Sequence, residues 1–131
     1  MPGWGTGSFE NEDAQNFLAG LNSKEPEVLK QIFVGAVDGN DYLNSSESSD
    51  VVVAAEIVAT ANGKPPQAVP PQIVEWIGKI EGSPSSEMNE MARCAVEKVR
   101  ANSELKDLWL EAEGLNEWSA TLRDLERRLG E

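Results

Sequence analysis

The segment that most limits what this chain can become is Val51–Ala61, which reads VVVAAEIVATA and is apolar on every side except at Glu56 and Thr60. An element with no polar face has to be wrapped by others, because no side of it can be left to water. The β-branched Val51-Val52-Val53 would suit a strand, yet the length of the run and the Ala54-Ala55 that follows favour a helix. A chain of 131 residues can supply the wrapping and bury a core without disulfide or metal staples.

The flanking segments carry the helical period needed for that wrapping. Asn11 can cap a first helix, with Glu12 and Asp13 in its opening turn and Ala14, Phe17, Leu18 and Leu21 on one face. Ser23 is expected to cap a second that starts near Pro26, carries Val28, Leu29, Ile32, Phe33 and Ala36, and stops at Gly39. Tyr42-Leu43 and the serine-rich Ser45-Ser46-Glu47-Ser48-Ser49 read as a lead-in to the apolar segment, which Asn62-Gly63 ends. Residues 64–71 hold four of the seven prolines and read as an extended connector.

Beyond it, Pro71 opens a helix packing Ile73, Val74, Ile77 and Ile80, and Gly82-Ser83-Pro84 resets the chain. The next stripe, Met88, Met91, Ala92, Ala95, Val96 and Val99, is the cleanest in the sequence, and Cys94 lies beside it. Ser103 caps a short helix with Leu105, Leu108, Trp109 and Ala112 facing in, closed by Gly114. Asn116 is expected to cap the last, with Leu115 and Ala120 as a hydrophobic staple, Trp118, Leu122, Leu125 and Leu129 as the stripe, and Arg127 and Arg128 near the negative end of the dipole. The predicted architecture is all-α: one domain over 1–131, a bundle of six or seven helices around a central apolar one, with a Gly-rich arm at 1–10 and the Pro-rich connector at 64–71. That connector is where an N-terminal three-helix unit could divide from a C-terminal four-helix unit.

Composition removes whole classes of function. Eleven Lys and Arg stand against 23 Asp and Glu, a net charge of -12, and ten of the acids but only two of the bases fall at or before Thr60. Nucleic acid and anionic membrane are poor partners for such a surface, since both bind by neutralising phosphates with cations. With no histidine and one cysteine, Cys94, neither a Ser-His-Asp or Cys-His nucleophile, nor the common zinc ligand sets, nor a disulfide can be assembled. No metal or cofactor is expected, and the thiol reads as inert. No stretch approaches the roughly 18 apolar residues of a bilayer span, and the opening Met1-Pro2-Gly3-Trp4-Gly5 lacks the basic then apolar layout of a signal peptide, so the expected location is the cytoplasm.

The opening, Trp4-Gly5-Thr6-Gly7-Ser8-Phe9-Glu10-Asn11-Glu12-Asp13-Ala14, resembles the start of a mainly bacterial domain-of-unknown-function family, family 4259, whose members begin WGxGxF followed by an acid, Asn and an acid. The resemblance extends through Tyr42-Leu43, Ala54-Ala55-Glu56-Ile57-Val58, Glu75-Trp76-Ile77 and Asn102-Ser103-Glu104-Leu105. It departs from the family pattern at Glu12 and Asn16, where aspartates are expected. It implies a fold and no catalytic residues.

Read physically, Gly3, Gly5 and Gly7 let the backbone turn sharply or lie against a helix, while Trp4 and Phe9 are large apolar anchors. One reading makes the arm an anion cradle at a helix start, against which Glu10, Glu12 and Asp13 would act; the favoured one pins the arm to the core by its two aromatics. Glu56, alone in the apolar segment, is either an acid or base with a raised pKa or, as favoured, a residue on the one face that meets water or a basic side chain. The binding candidates are therefore Trp4, Gly5, Gly7, Phe9, Asn11, Asp13 and Glu56. The sharpest enzyme alternative is Glu87-x-x-Glu90 followed by Glu104-x-x-Asp107, which resembles the ExxE and ExxD carboxylates that hold magnesium in all-α nucleotide pyrophosphohydrolases. Both pairs also fall in first turns, where acids suit the dipole. The favoured expectation is a non-enzymatic interaction protein of inhibitor or immunity type, using its acidic half to cover a basic protein partner.

Overall fold

The computed structural model describes residues 3, 5–38, 42–79 and 84–130. Among them are seven α-helices, one 3₁₀ turn and no strand: α1 (Glu12–Ala19), the 3₁₀ turn (Leu21–Ser23), α2 (Glu27–Asp38), α3 (Ser45–Ala61), α4 (Pro71–Ile77), α5 (Ser86–Ala101), α6 (Glu104–Glu111) and α7 (Leu115–Gly130). A single parallel bridge, Leu43 to Ser103, ties the entrance of α3 to that of α6. None of the described helices is long and apolar enough to cross a membrane.

α3 is the axis of the bundle. Every residue from Val51 to Ala59 is buried, and the helix touches all six others. α5, from beyond the proline connector, packs on both α2 and α3, so the halves share one core. The helix also begins earlier than its apolar run suggests. Ser45–Asp50 forms its first turns instead of a lead-in, because Asn44 and Glu47 make a capping box: the Glu47 N–H donates to Asn44 Oδ1 at 2.8 Å, and the Asn44 N–H to Glu47 Oε1 at 3.1 Å. Ser48, buried, donates its hydroxyl back to the Asn44 carbonyl at 2.8 Å.

Other expectations shift for equally local reasons. Asn11 and Ser103 cap α1 and α6 as expected, but Ser23 donates to the Gly20 carbonyl at 2.9 Å and closes the 3₁₀ turn, so α2 starts without it. Asn116 sits inside the first turn of α7, whose Trp118 N–H already reaches the Gly114 carbonyl at 3.0 Å, and Ala120 is exposed, so no staple forms. α4 is covered along one narrow stripe. Ile73 and Trp76 are buried, the indole N–H donating to the Lys24 carbonyl at 3.1 Å, while Val74 stays 58% exposed. Gly114 is required by contact: a Cβ there would lie 2.6 Å from the Trp109 ring, and the positive φ of the α6–α7 turn, 63°, falls on Glu113. Gly39, Ile80, Gly82 and Ser83, offered above as stops and core, lie outside the described residues.

Candidate functional site

Glu56 points from the middle of α3 into the seam between the arm, the connector and α7, and is 1% exposed. Leaving a carboxylate there alone would cost several kcal/mol, so the fold must supply a countercharge. It does so from the far end of the chain. Arg128 donates from Nη1 to Glu56 Oε1 at 2.7 Å and from Nη2 to Oε2 at 3.3 Å, and Ser8 donates its hydroxyl to Oε2 at 2.5 Å. The same guanidinium reaches Asp124 Oδ2 at 2.9 Å and the Lys64 carbonyl at 3.2 Å. Burial works against its charge, but the hydrogen bonds and charge of Glu56, with Asp124, outweigh it and hold its pKa above the ordinary arginine value. One cation thus clamps α3, α7 and the connector, and both Glu56 oxygens are engaged.

The arm folds onto this clamp around its own acid. The Gly7 N–H donates to Glu10 Oε1 at 3.0 Å, and side chains built at Gly5 or Gly7 would run into that carboxylate. The amide expected to cradle an anion is therefore filled from within the chain. Gln15 holds the Phe9 carbonyl at 2.9 Å. Phe9 packs only half-buried against the core, so it anchors the arm less deeply than expected; Trp4 lies outside the described residues.

Above the clamp opens a concavity of about 760 Å³, with Ser8, Glu56, Asp124 and Arg128 among its polar residues and Phe9, Pro66, Val69 and Pro70 among its apolar ones. It brings together Gly7, Phe9 and Glu56 of the sequence candidates. Asn11 is instead occupied as the α1 cap, Asp13 accepts from the Ser46 hydroxyl at 3.2 Å, and Gly5 faces a tighter cleft beside Trp109 and Trp118. The sequence marks neither Ser8 nor Asp124, and marks Arg128 only as a cation at the end of its helix. The i,i+4 spacing of Asp124 and Arg128 on one helix face was a readable signal for that pair; nothing in the sequence joins either Ser8 or Arg128 to Glu56.

A second feature is electrostatic. Arg93, Arg100, Arg127 and Arg128 are paired with Glu90 and Glu97, Glu126, Asp124, and Glu56 and Asp124 respectively. Of the described acids from Glu10 to Asp50, none forms an ion pair. Asp50, half-buried near Asp13 and Glu47, is pushed up to a pKa of about 6, first by burial and next by the Asp13 charge, with Lys24 opposing and Glu47 adding.

The ExxE and ExxD acids are dispersed. Glu87 is exposed; Glu90 is held by Arg93; Glu104 Oε1 accepts from the Ser45 N–H at 2.8 Å; Asp107 accepts from the Tyr42 hydroxyl at 2.6 Å. Glu90 lies eleven residues before the end of α5 and α6 follows that end, a separation of about 16 Å along the helix. Among the described residues no three His, Cys, Asp or Glu side chains are placed to hold a metal ion. Cys94 is raised by burial and by Glu90, which keeps the thiol protonated.

These features define a small all-α domain built on one buried acid–base clamp, with a half-polar concavity above it and an acidic edge. The chain belongs to the domain of unknown function family DUF4259, which matches residues 3–121. No curated protein and no solved structure matches it.

Proposed function

We propose that this chain is a cytoplasmic, non-enzymatic interaction protein that binds a basic protein partner through the acids of its N-terminal half, in an inhibitor or immunity-type role. The observation that carries the reading is the unequal pairing of charge. Arg93, Arg100, Arg127 and Arg128 of α5 and α7 are spent on acids of the C-terminal half and on Glu56, whereas Asp13, Glu47 and Asp50 meet no cation within ion-pair distance among the described residues. Uncompensated carboxylates on adjoining helix starts make a local negative field that speeds encounter with a positive surface and is screened beyond about 8 Å at physiological salt. The absence of histidine and the engagement of both Glu56 oxygens support a binding role over acid–base chemistry.

The test is affinity capture from the source cell at low and high ionic strength, comparing the wild-type chain with two triple variants. Asp13→Asn/Glu47→Gln/Asp50→Asn should lose the salt-sensitive partner. Glu87→Gln/Glu111→Gln/Glu117→Gln, which removes the same formal charge elsewhere, should keep it. Equal retention by both variants defeats the proposal, as does magnesium-dependent nucleoside triphosphate hydrolysis that Glu90→Gln and Asp107→Asn abolish.

A further inference from the structure

A second concavity, of about 580 Å³, lies where the end of α5, the start of α6 and the first turns of α7 meet, and its charge is opposite to that of the whole molecule. Its charged residues are Arg100, Lys106 and Arg123, one from each helix; Asn116 and Ser119 add neutral donors, and among the described residues no acid lines it. In a chain of net charge -12 with only eleven bases, three of them converge on one surface depression. Arg100 arrives with its countercharge, Glu126, held at 2.7 Å. Lys106 uses one donor on the Ala101 carbonyl at 3.3 Å, and neither it nor Arg123 has an acid within ion-pair distance among the described residues. Two positive charges therefore remain uncompensated at one site, where the arginines of α5 and α7 are otherwise neutralised by neighbours.

We propose that this concavity binds the phosphate group of a small phosphomonoester. Two unpaired cations call for a dianion. A phosphomonoester carries between one and a half and two negative charges near neutral pH, roughly, with a second pKa of about 6 and three acceptor oxygens. A monocarboxylate would satisfy only one of the two cations. The planar fork of Arg123 offers two parallel N–H groups to such oxygens, Lys106 adds a point charge with rotatable donors, and the Asn116 amide and Ser119 hydroxyl can take remaining acceptors. The depression is several times larger than a phosphate group, and Leu115, Ala101 and Ala120 give the ester's organic part an apolar wall. The overall negative charge does not forbid this, since fields from acids more than a Debye length away are largely screened. It does exclude long polyanions, which could not avoid the acidic edge.

The experiment uses the whole chain, isotopically labelled, titrated with phenyl phosphate and in a second arm with N-acetyl-phosphoserine amide, while backbone amide shifts are followed. The expected result is saturable movement of the Asn116 and Ser119 amides, affinity higher at pH 7 than at pH 5 by up to about tenfold as the phosphate loses its second proton of pKa about 6, and a loss of about tenfold or more in Arg123→Gln and in Lys106→Gln. Both side chains are partly or fully exposed, so the variants should keep wild-type melts; Lys79→Gln, in the exposed turn after α4, is the control and should bind normally. Tighter binding of phenyl phosphate assigns a small-molecule ligand, and tighter binding of the phosphoserine probe assigns a modified protein; either supports the phosphate site. Shifts confined to other surfaces, equal affinity in all three variants, or benzoate binding as tightly as phenyl phosphate would overturn it.

Discussion

Glu56 and Asp50 stand six residues apart on the same helix and show two fates for a carboxylate in this fold. Glu56 is the more deeply buried, yet it is fully answered: a guanidinium and a hydroxyl replace the water it lost. Asp50 is only half-buried, yet its proton affinity rises, first through that burial and then through the charge of Asp13, with Lys24 opposing and Glu47 adding. Depth of burial alone therefore does not decide which acid is strained; it matters whether a cation and hydrogen-bond donors replace the water that burial removes. The answered acid holds the fold together. The unanswered one raises the energy of the folded chain and leaves a field that a partner could relieve.

The comparison can be broken most forcefully at Arg128. Arg128→Met strands Glu56 without its cation and should cost about 3 to 5 kcal/mol in denaturant melts. The double variant Glu56→Leu/Arg128→Met removes the orphan and should recover most of that loss; if the double variant is as unstable as the single, the clamp is a packing element and its charges are incidental. Ser8→Ala removes one hydroxyl donor and leaves the guanidinium, so a smaller loss of about 1 to 2 kcal/mol is expected, with the arm loosened, which would show as faster amide exchange at Gly7 and Glu10.

Asp50 should respond with the opposite sign. Its pKa is about 6 in the folded chain against an ordinary 3.8, so between those values the folded state binds more protons than the unfolded. Stability attributable to this group therefore falls as pH rises through that window and stays low above it. Asp50→Asn should raise stability at pH 7 by on the order of 1 kcal/mol, a figure reduced for solvent screening at a half-exposed site, and the gain should shrink toward zero near pH 4. Melts of both proteins across that range check it, and a variant less stable than wild type at pH 7 would show that Asp50 is answered after all. Smallest of all, added salt should stabilise wild type slightly by screening Asp13 from Asp50, and the Asp50→Asn chain less so.

What was legible in the sequence tracks how local the physics is. Asn11, Ser103 and Asn62 act within a few residues of themselves, and they bound their helices as read. The Asn44–Glu47 box was equally local and could have been seen; five neighbouring polar residues obscured it, since serines suit a loop as well as a first turn. Val74 and Trp76 were misjudged because period alone gives two overlapping stripes on a seven-residue helix, and only the neighbours of α4 choose between them.

By itself, then, the sequence determined the helices, their central apolar member and the acidity of the first half, because propensity, caps and composition depend on residues close in the chain or on none in particular. Only the tertiary structure decided that Glu56 would be met by Arg128 and Ser8, that the Gly7 amide would be occupied by Glu10's carboxylate, and that Arg100, Lys106 and Arg123 would share one depression. Glu56 and Arg128 are 72 residues apart, and no periodicity connects them. Their meeting follows from how α7 lies across α3, a choice made by apolar packing over the whole bundle and merely exploited by the charges.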